Sequence, residues 1–397
     1  MRAGAVLEGL AAGADVHLLV IPVAGSAGPP GEEIRRWCAR VAVYDVRRHV
    51  DPLFALSARV KDPSERLAAL LTYPRPALCR FATRAAVREA AALVQPLRHQ
   101  RVHVFRLYLA PFAEPHLRAG PGGRPACHLD LDDREVTVQL RLAERLRLTG
   151  DEAGAQLALV EADRYARLES EWLPRCDQVY VSSEVDRRAL ARDHPAARVA
   201  VLPNTIRVPD TAATPPVRGP FTFLFVGNLG YRPNEDAMRF FCSEILPALR
   251  GAAARPFVVH VVGANPSAPV RSLALEPEVR VVGWVDDVAP WYRAAHAAIV
   301  PLRAGGGTRI KILEAFAHGC PVVSTTLGAE GLEVTDGRHL YLADTPRDFA
   351  AACLRLMRDP ALGRSLAQHG LALVRRRHGI GRLRALLRAV PAAGTSE

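Results

Sequence analysis

The chain has 397 residues, 49% hydrophobic and 23% charged, with a formal net charge of +11. That length suits two domains, and the composition excludes a disordered or low-complexity protein. Seven scattered cysteines without a C-x-x-C pair argue against a disulfide framework and a structural zinc site, and for a reducing compartment.

All but two of the 52 basic residues are arginine, the lysines being Lys61 and Lys311. The arginines are spread along the chain without aromatic interleaving, so they read as a solvated basic surface and no nucleic-acid partner is expected. The first apolar runs are broken by Glu8, Asp15 and His17 before they reach the length of a membrane span. A cytoplasmic location is expected, with peripheral contact at the inner membrane face as an option.

In chain order, the sequence opens in a helical pattern, RAGAVLEGLAAGA, and runs into an apolar β-rich stretch at 15–23. Further strands are expected at 41–46, 101–108, 126–132, 178–183 and 199–204, with amphipathic helical segments between them. The alternation predicts a parallel sheet covered on both faces. In a Rossmann-like sheet the first strand is central, so an opening helix implies that an upstream strand and its glycine-bearing loop are missing. The basic segment 73–106 reads first as a solvated face of an arginine-rich protein, with an acceptor-side or membrane-surface patch as the alternative.

A proline-rich, polar stretch at 206–221 reads as a linker. Strands then resume at 221–230, 257–263, 279–285, 297–302 and 320–325, giving a second sheet of the same class. The expected domains are 1–212 and 213–378, with a terminal amphipathic helix from about 379 to 397 packing back on the first. Ligands of such sheets bind at the carboxyl ends of the strands.

One such end carries RAGGGTRIKILEAFAHG (303–319). Gly305, Gly306 and Gly307 allow backbone N–H groups to approach an anion, and Thr308 is a candidate N-cap for the helix that follows. Arg309 and Lys311 add positive charge at the positive end of that helix, which a diphosphate would offset. Glu314 either pairs with Lys311 or accepts the two hydroxyls of a ribose. In the first half, HLDLDDRE (128–135) places Asp130, Asp132, Asp133 and Glu135 after a strand, as solvated turn residues or as a site. No convincing metal constellation is present, although acids this close can bind Mg²⁺.

The block GGGTRIKILEAFAHGCPVVSTTLGAEGL (305–332) resembles the nucleotide-sugar site of GT-B retaining glycosyltransferases of family 4, in the branch with a G-x-G-T-R-x-K-x-L-E-A signature. Similar matches run through DLDDRE (130–135), CDQVYVSSEVDRRAL (176–190), VAVLPN (199–204), FLFVGNLGYRPNEDA (223–237) and VRVVGWVDDVAPWYRAAHAAIVPL (279–302). The resemblance implies two Rossmann-like domains facing across a cleft, an NDP-sugar donor as substrate, no cofactor, and transfer to an unidentified acceptor with retention. Arg309 and Lys311 then meet the diphosphate, aided by Gly227, Asn228 and Arg232. Glu314 holds the ribose, and Val282, Gly283 and Trp284 fall at the base, although Trp284 also reads as core. Asp132 stands where relatives often have a histidine, with Asp130, Asp133 and Glu135 on the acceptor side. Gly306 replaces a glutamate that many relatives carry. Other readings are a nucleotide-sugar epimerase and a non-catalytic sugar-nucleotide or nucleic-acid binding protein.

Overall fold

The structure is a computed structural model that describes residues 2–23, 30–94, 99–119, 123–209, 219–305 and 309–388. The chain divides into two compact units, Met1–Pro203 with Leu383–Glu397, and Asn204–Arg382. The division falls just upstream of the proline-rich stretch. Gly306, Gly307 and Thr308 lie outside the described residues, as does the middle of that stretch.

Among the described residues of the first unit there are six strands, β1 (His17–Val20), β2 (Arg40–Val43), β3 (Arg101–Phe105), β4 (Ala126–Asp132), β5 (Gln178–Val181) and β6 (Val199–Val201), each parallel to its sheet neighbours. They form two sheets, β1-β2 and β3-β4-β5-β6. Every residue of β4 is buried, as expected for a strand covered on both faces. Leu129, Val179, Trp172 and Leu190 form one core, and Tyr44, Phe81, Ala86 and Phe112 form another beneath β1 and β2. The terminal helix Ile380–Arg388 joins this unit from Leu383 onward: Arg384 pairs with Glu8 at 2.8 Å, and Leu387 lies against Gly9.

The second unit has one six-stranded parallel sheet of β7 (Phe221–Val226), β8 (Phe257–Val262), β9 (Val279–Gly283), β10 (Ala297–Val300), β11 (Val322–Ser324) and β12 (Tyr341–Leu342). The order is β12-β11-β10-β7-β8-β9. Chain direction across the sheet reverses between β7 and β10, the switch point where doubly wound sheets open a ligand crevice. Phe223, Phe225, Phe241, Phe316 and Phe349 fill the core. Gly370 makes room for Phe316, because a Cβ there would lie 2.5 Å from its Cδ1. That contact seats the helix Ile310–Ala317 on the helix Pro360–Arg377.

All eleven expected strands are present: β4 spans the expected residues, β2 starts one residue early, and the others are trimmed at one or both ends. β12 is the addition: two residues carry no alternation to read. The segment 73–106 is a different matter, because it is not one amphipathic helix. It holds a 3-10 turn at Ala77–Phe81, the helix Arg84–Ala92 and the sheet strand β3. Arg75 binds Asp51 and the carbonyl of Ala82, while Arg80 packs on the rings of Phe54 and Phe81. These arginines are engaged by intramolecular contacts, and among the described residues of the segment Arg84 and Arg88 are the exposed arginines.

Candidate functional site

The switch point of the second unit gathers residues that are far apart in sequence. Gly227 directly follows β7, and its N–H donates to Val262 O at 3.0 Å. A Cβ on residue 227 would lie 2.9 Å from Asn234 Nδ2 and 3.0 Å from Lys311 Nζ, so glycine is what lets both side chains reach this strand end. Gly263 backs the turn at φ +151°, and a Cβ there would fall 1.7 Å from Gly227 O. Beyond Gly227, the exposed Asn228 turns its own chain, its Oδ1 accepting from Gly230 N at 3.1 Å. Asn228 O in turn accepts from Asn234 Nδ2 at 2.8 Å. Arg232 is exposed at the first position of the helix Arg232–Phe240.

Lys311 comes from the first turn of the helix Ile310–Ala317, with Arg309 at its N-cap. Its Nζ donates to Asn234 Oδ1 at 2.7 Å and sits 4.1 Å from the centre of the Phe225 ring. Burial, and then the charge of Arg309, push the Lys311 ammonium down to about 7, with Glu314 acting in the opposite sense. A cation brought here without full hydration is one that an anionic ligand would restore to full charge. The Arg309 side chain is also buried, and Gly305 (φ +112°) approaches its guanidinium closely enough that a Cβ would lie 3.2 Å from Nη1.

Glu314 is buried one turn further on and accepts a hydrogen bond from the Tyr292 hydroxyl at 3.1 Å. Burial raises its pKa, opposed by the Tyr292 hydrogen bond and by Lys311. Lys311 gives its hydrogen bond to Asn234 and Glu314 accepts from Tyr292, so the two influence each other's charge without forming the ion pair that i,i+3 spacing allows. On β9, Val282 and Gly283 (φ +82°) are partly buried and Trp284 follows them at 67% exposure, so Trp284 is not a core residue.

In the first unit the acidic motif gathers at the carboxyl ends of β3 and β4. Asp130 has 0% exposure and accepts from Arg2 Nη2 at 2.8 Å and from the Asp132 N–H at 2.9 Å. Asp130 therefore anchors Arg2 and the strand end, which corrects the expectation that it stands open on the acceptor side. Asp132 lies between two cations, with Arg106 Nη2 at 2.7 Å and Arg2 Nε at 3.5 Å. Asp133 and Glu135 sit 3.4 Å and 3.6 Å from Arg106 Nη1. Burial raises Glu135 to about 7 against the pull of Arg106. Arg106 (φ +78°) and Asp132 (φ +58°) both hold left-handed backbone, which costs on the order of 1–3 kcal/mol each in a non-glycine residue.

Four residues of these clusters were not singled out from sequence: Arg2, Arg106, Asn234 and Tyr292. Arg106 follows the end of β3, a signal that position alone supplies, whereas Asn234 lies in the helix Arg232–Phe240 and meets Lys311 only through tertiary structure. Arg2 and Tyr292 reach their partners only through tertiary structure. Among the described residues no group of three or more His, Cys, Asp or Glu is placed to hold a metal ion, and no helix is long and apolar enough to cross a membrane.

Residues 220–359 match the family of glycosyl transferases group 1. The chain is 33% identical over 152 residues to D-inositol 3-phosphate glycosyltransferase 2 of Catenulispora acidiphila, covering 34% of this chain and 35% of that protein. It is 30% identical over 187 residues to a phosphatidyl-myo-inositol mannosyltransferase of Mycobacterium leprae, covering 44% and 48%. The chain thus spans less than half the length of these curated relatives. Among solved structures, sucrose-phosphate synthase of Thermosynechococcus elongatus superposes with a TM-score of 0.62 at 16% identity, over 94% of this chain and 98% of that one. Anabaena HepE in complex with UDP-glucose gives 0.59 at 14%, with the same coverage. The fold is GT-B, built from two Rossmann-like units.

Proposed function

We propose that this chain is a glycosyltransferase of the family 4 type, moving a sugar from an NDP-sugar to an acceptor with retention of configuration. The observation that carries the proposal is the convergence of Lys311, Asn234 and Gly227 at the switch point, with Glu314 one turn away, inside the segment that matches glycosyl transferases group 1.

In this reading Arg309 and Lys311 bind the diphosphate and stabilise it as it leaves. One positioned donor of this kind contributes roughly 3–4 kcal/mol to a transition state. Glu314 accepts the ribose hydroxyls. The segment Gly305–Thr308, with Gly227, Asn228 and Arg232, surrounds the phosphates, and Val282–Trp284 lies against the base. Asp132, Asp133 and Glu135 form the acceptor side, with left-handed backbone at Asp132 and the three carboxylates ordered by Arg106. No protein nucleophile and no cofactor is invoked. Contact with an anionic membrane through Arg84 and Arg88 is a further part of the proposal, checked by vesicle co-sedimentation.

A panel of UDP-, GDP- and dTDP-sugars, followed for donor hydrolysis and nucleotide release, tests the reading. Nucleotide release that is lost in Lys311→Ala supports it. No release and no binding with any donor overturns it. A donor converted without acceptor into an epimeric sugar would favour the epimerase reading.

The separation of β1-β2 from β3–β6 also supports our proposal that another strand belongs beside β1. N-terminal sequencing of the protein from its native host tests this, and a start at Met1 with full activity overturns it.

A further inference from the structure

Tyr292 lies on the helix Ala289–Ala294, just before β10, and is 1% exposed. Its hydroxyl has two acceptors within reach, Glu314 Oε2 at 3.1 Å and the Lys311 carbonyl at 3.2 Å. One face of the phenol is covered by His318, whose ring is nearly parallel at 9° and 5.5 Å between centroids. His318 is itself the C-cap of the helix that carries Glu314, and its N–H donates to Glu314 O at 3.0 Å. A rigid ring is thus clamped between two points of one helix, with its one polar atom on the Glu314 carboxylate.

A buried carboxylate turns freely about its last side-chain bond unless a neighbour fixes it. We propose that Tyr292, held by His318, is a positioning residue that sets the rotation of the Glu314 carboxylate for a cis-diol. The proposal rests on the reading of Glu314 as the ribose-binding group. The hydroxyl occupies Oε2 from the Tyr292 side, so Oε1 and the remaining lone pairs of Oε2 are the acceptors that face a ligand. A nucleotide lacking one ribose hydroxyl then loses a hydrogen bond to a charged, oriented acceptor. Tyr292 enters no bond-making step and touches no substrate atom.

The test uses UDP and GDP with their 2′-deoxy counterparts as binding probes, measured by calorimetry on the full chain. For wild type, removal of the 2′-hydroxyl is expected to weaken binding about 10-fold or more, as a hydrogen bond to a charged group requires. In Tyr292→Phe, which keeps the ring and its stack, the discrimination is expected to fall to two- or threefold, with KM for the donor rising and kcat nearly unchanged. A double-mutant cycle with Glu314→Gln adds a second check: Tyr292→Phe should change little once the carboxylate is gone. Thermal unfolding of each variant separates positioning from a loss of fold.

If Tyr292→Phe remains folded and discriminates as wild type does, this inference is overturned while the donor reading stands. If wild type binds UDP or GDP but ignores the 2′-hydroxyl, Glu314 is not the ribose acceptor and the inference falls with that assignment. Failure of wild type to bind either nucleotide, dTDP included, overturns the donor reading as well.

Discussion

Lys311 Nζ and Asn234 Oδ1 meet at 2.7 Å across 77 positions of sequence, and the ammonium has the face of Phe225 beneath it. The partners are a neutral amide and a π-face, so the charge is only partly compensated within the protein. The free Lys311 therefore titrates near 7. As the pH rises through 7 the charge that would meet a diphosphate is lost, so kcat/KM for the donor is expected to fall on the alkaline side with an apparent pKa close to 7. Donor binding near pH 8 should restore the charge and take up close to one proton, measurable by calorimetry in buffers of different ionisation enthalpy. Lys311→Arg keeps its charge throughout this range and should abolish the alkaline limb, whatever its absolute rate.

Gly227→Ala offers a steric test of the same site. The added methyl meets Asn234 Nδ2 and Lys311 Nζ at 2.9 and 3.0 Å, both ends of side chains that can swing away. The fold should survive with a thermal midpoint close to wild type, while donor affinity drops at least tenfold. Gly263→Ala makes the contrast, because its methyl would overlap the backbone carbonyl of Gly227, which cannot move independently. That variant should lose stability, and circular dichroism during thermal unfolding distinguishes the two outcomes.

These residues show what could be read from sequence. The strands were legible because β-rich apolar runs such as Phe221–Val226 alternate with helical periodicity, and that pattern is local. Lys311 and Glu314 were legible because they share one short motif after a strand. Asn234 and Tyr292 were not, since their partners lie on other elements and neither residue type is unusual where it stands. Asp130 reads from sequence as a solvated turn acid or an acceptor-side acid, and neither reading predicts its burial. Its burial depends on Arg2, 128 positions away, which no spacing rule connects to it.

The interior of the first unit predicts an acid limit to stability. His103 and His128 are neighbours in register on β3 and β4, His103 stacks on Tyr180, and neither ring nitrogen of His103 has a hydrogen-bond partner among the described residues. Burial, followed by the positive charge of nearby arginines, lowers both to about 4 from an ordinary 6.5. Each binds its proton more tightly when unfolded. Stability present above about pH 6.5 is therefore lost as the pH falls toward 4, by about 3 kcal/mol per histidine at the limit. Urea titrations at pH 7.0, 6.0 and 5.0 should show this slope, and His103→Phe should flatten it. An unchanged slope in that variant would mean that His103 does not titrate on unfolding.

The Arg2–Asp130 pair predicts a coupling that single substitutions conceal. Arg2 Nη1 also donates to Leu202 O at 2.7 Å, so one guanidinium ties the ends of β4 and β6 to the opening helix Arg2–Ala11. Arg2→Met leaves a fully buried carboxylate without its main partner, and breaking a buried pair in this way costs roughly 3–5 kcal/mol. Asp130→Asn removes the carboxylate charge and leaves Arg2 with Asp132 and the Leu202 carbonyl, so its cost should be smaller. In the double variant no uncompensated charge remains from the pair, and stability should recover well above the sum of the single losses. Denaturant unfolding of the four proteins gives the coupling directly. Additive losses would show that Arg2 is not electrostatically tied to Asp130, and that Asp132 is the partner that holds it.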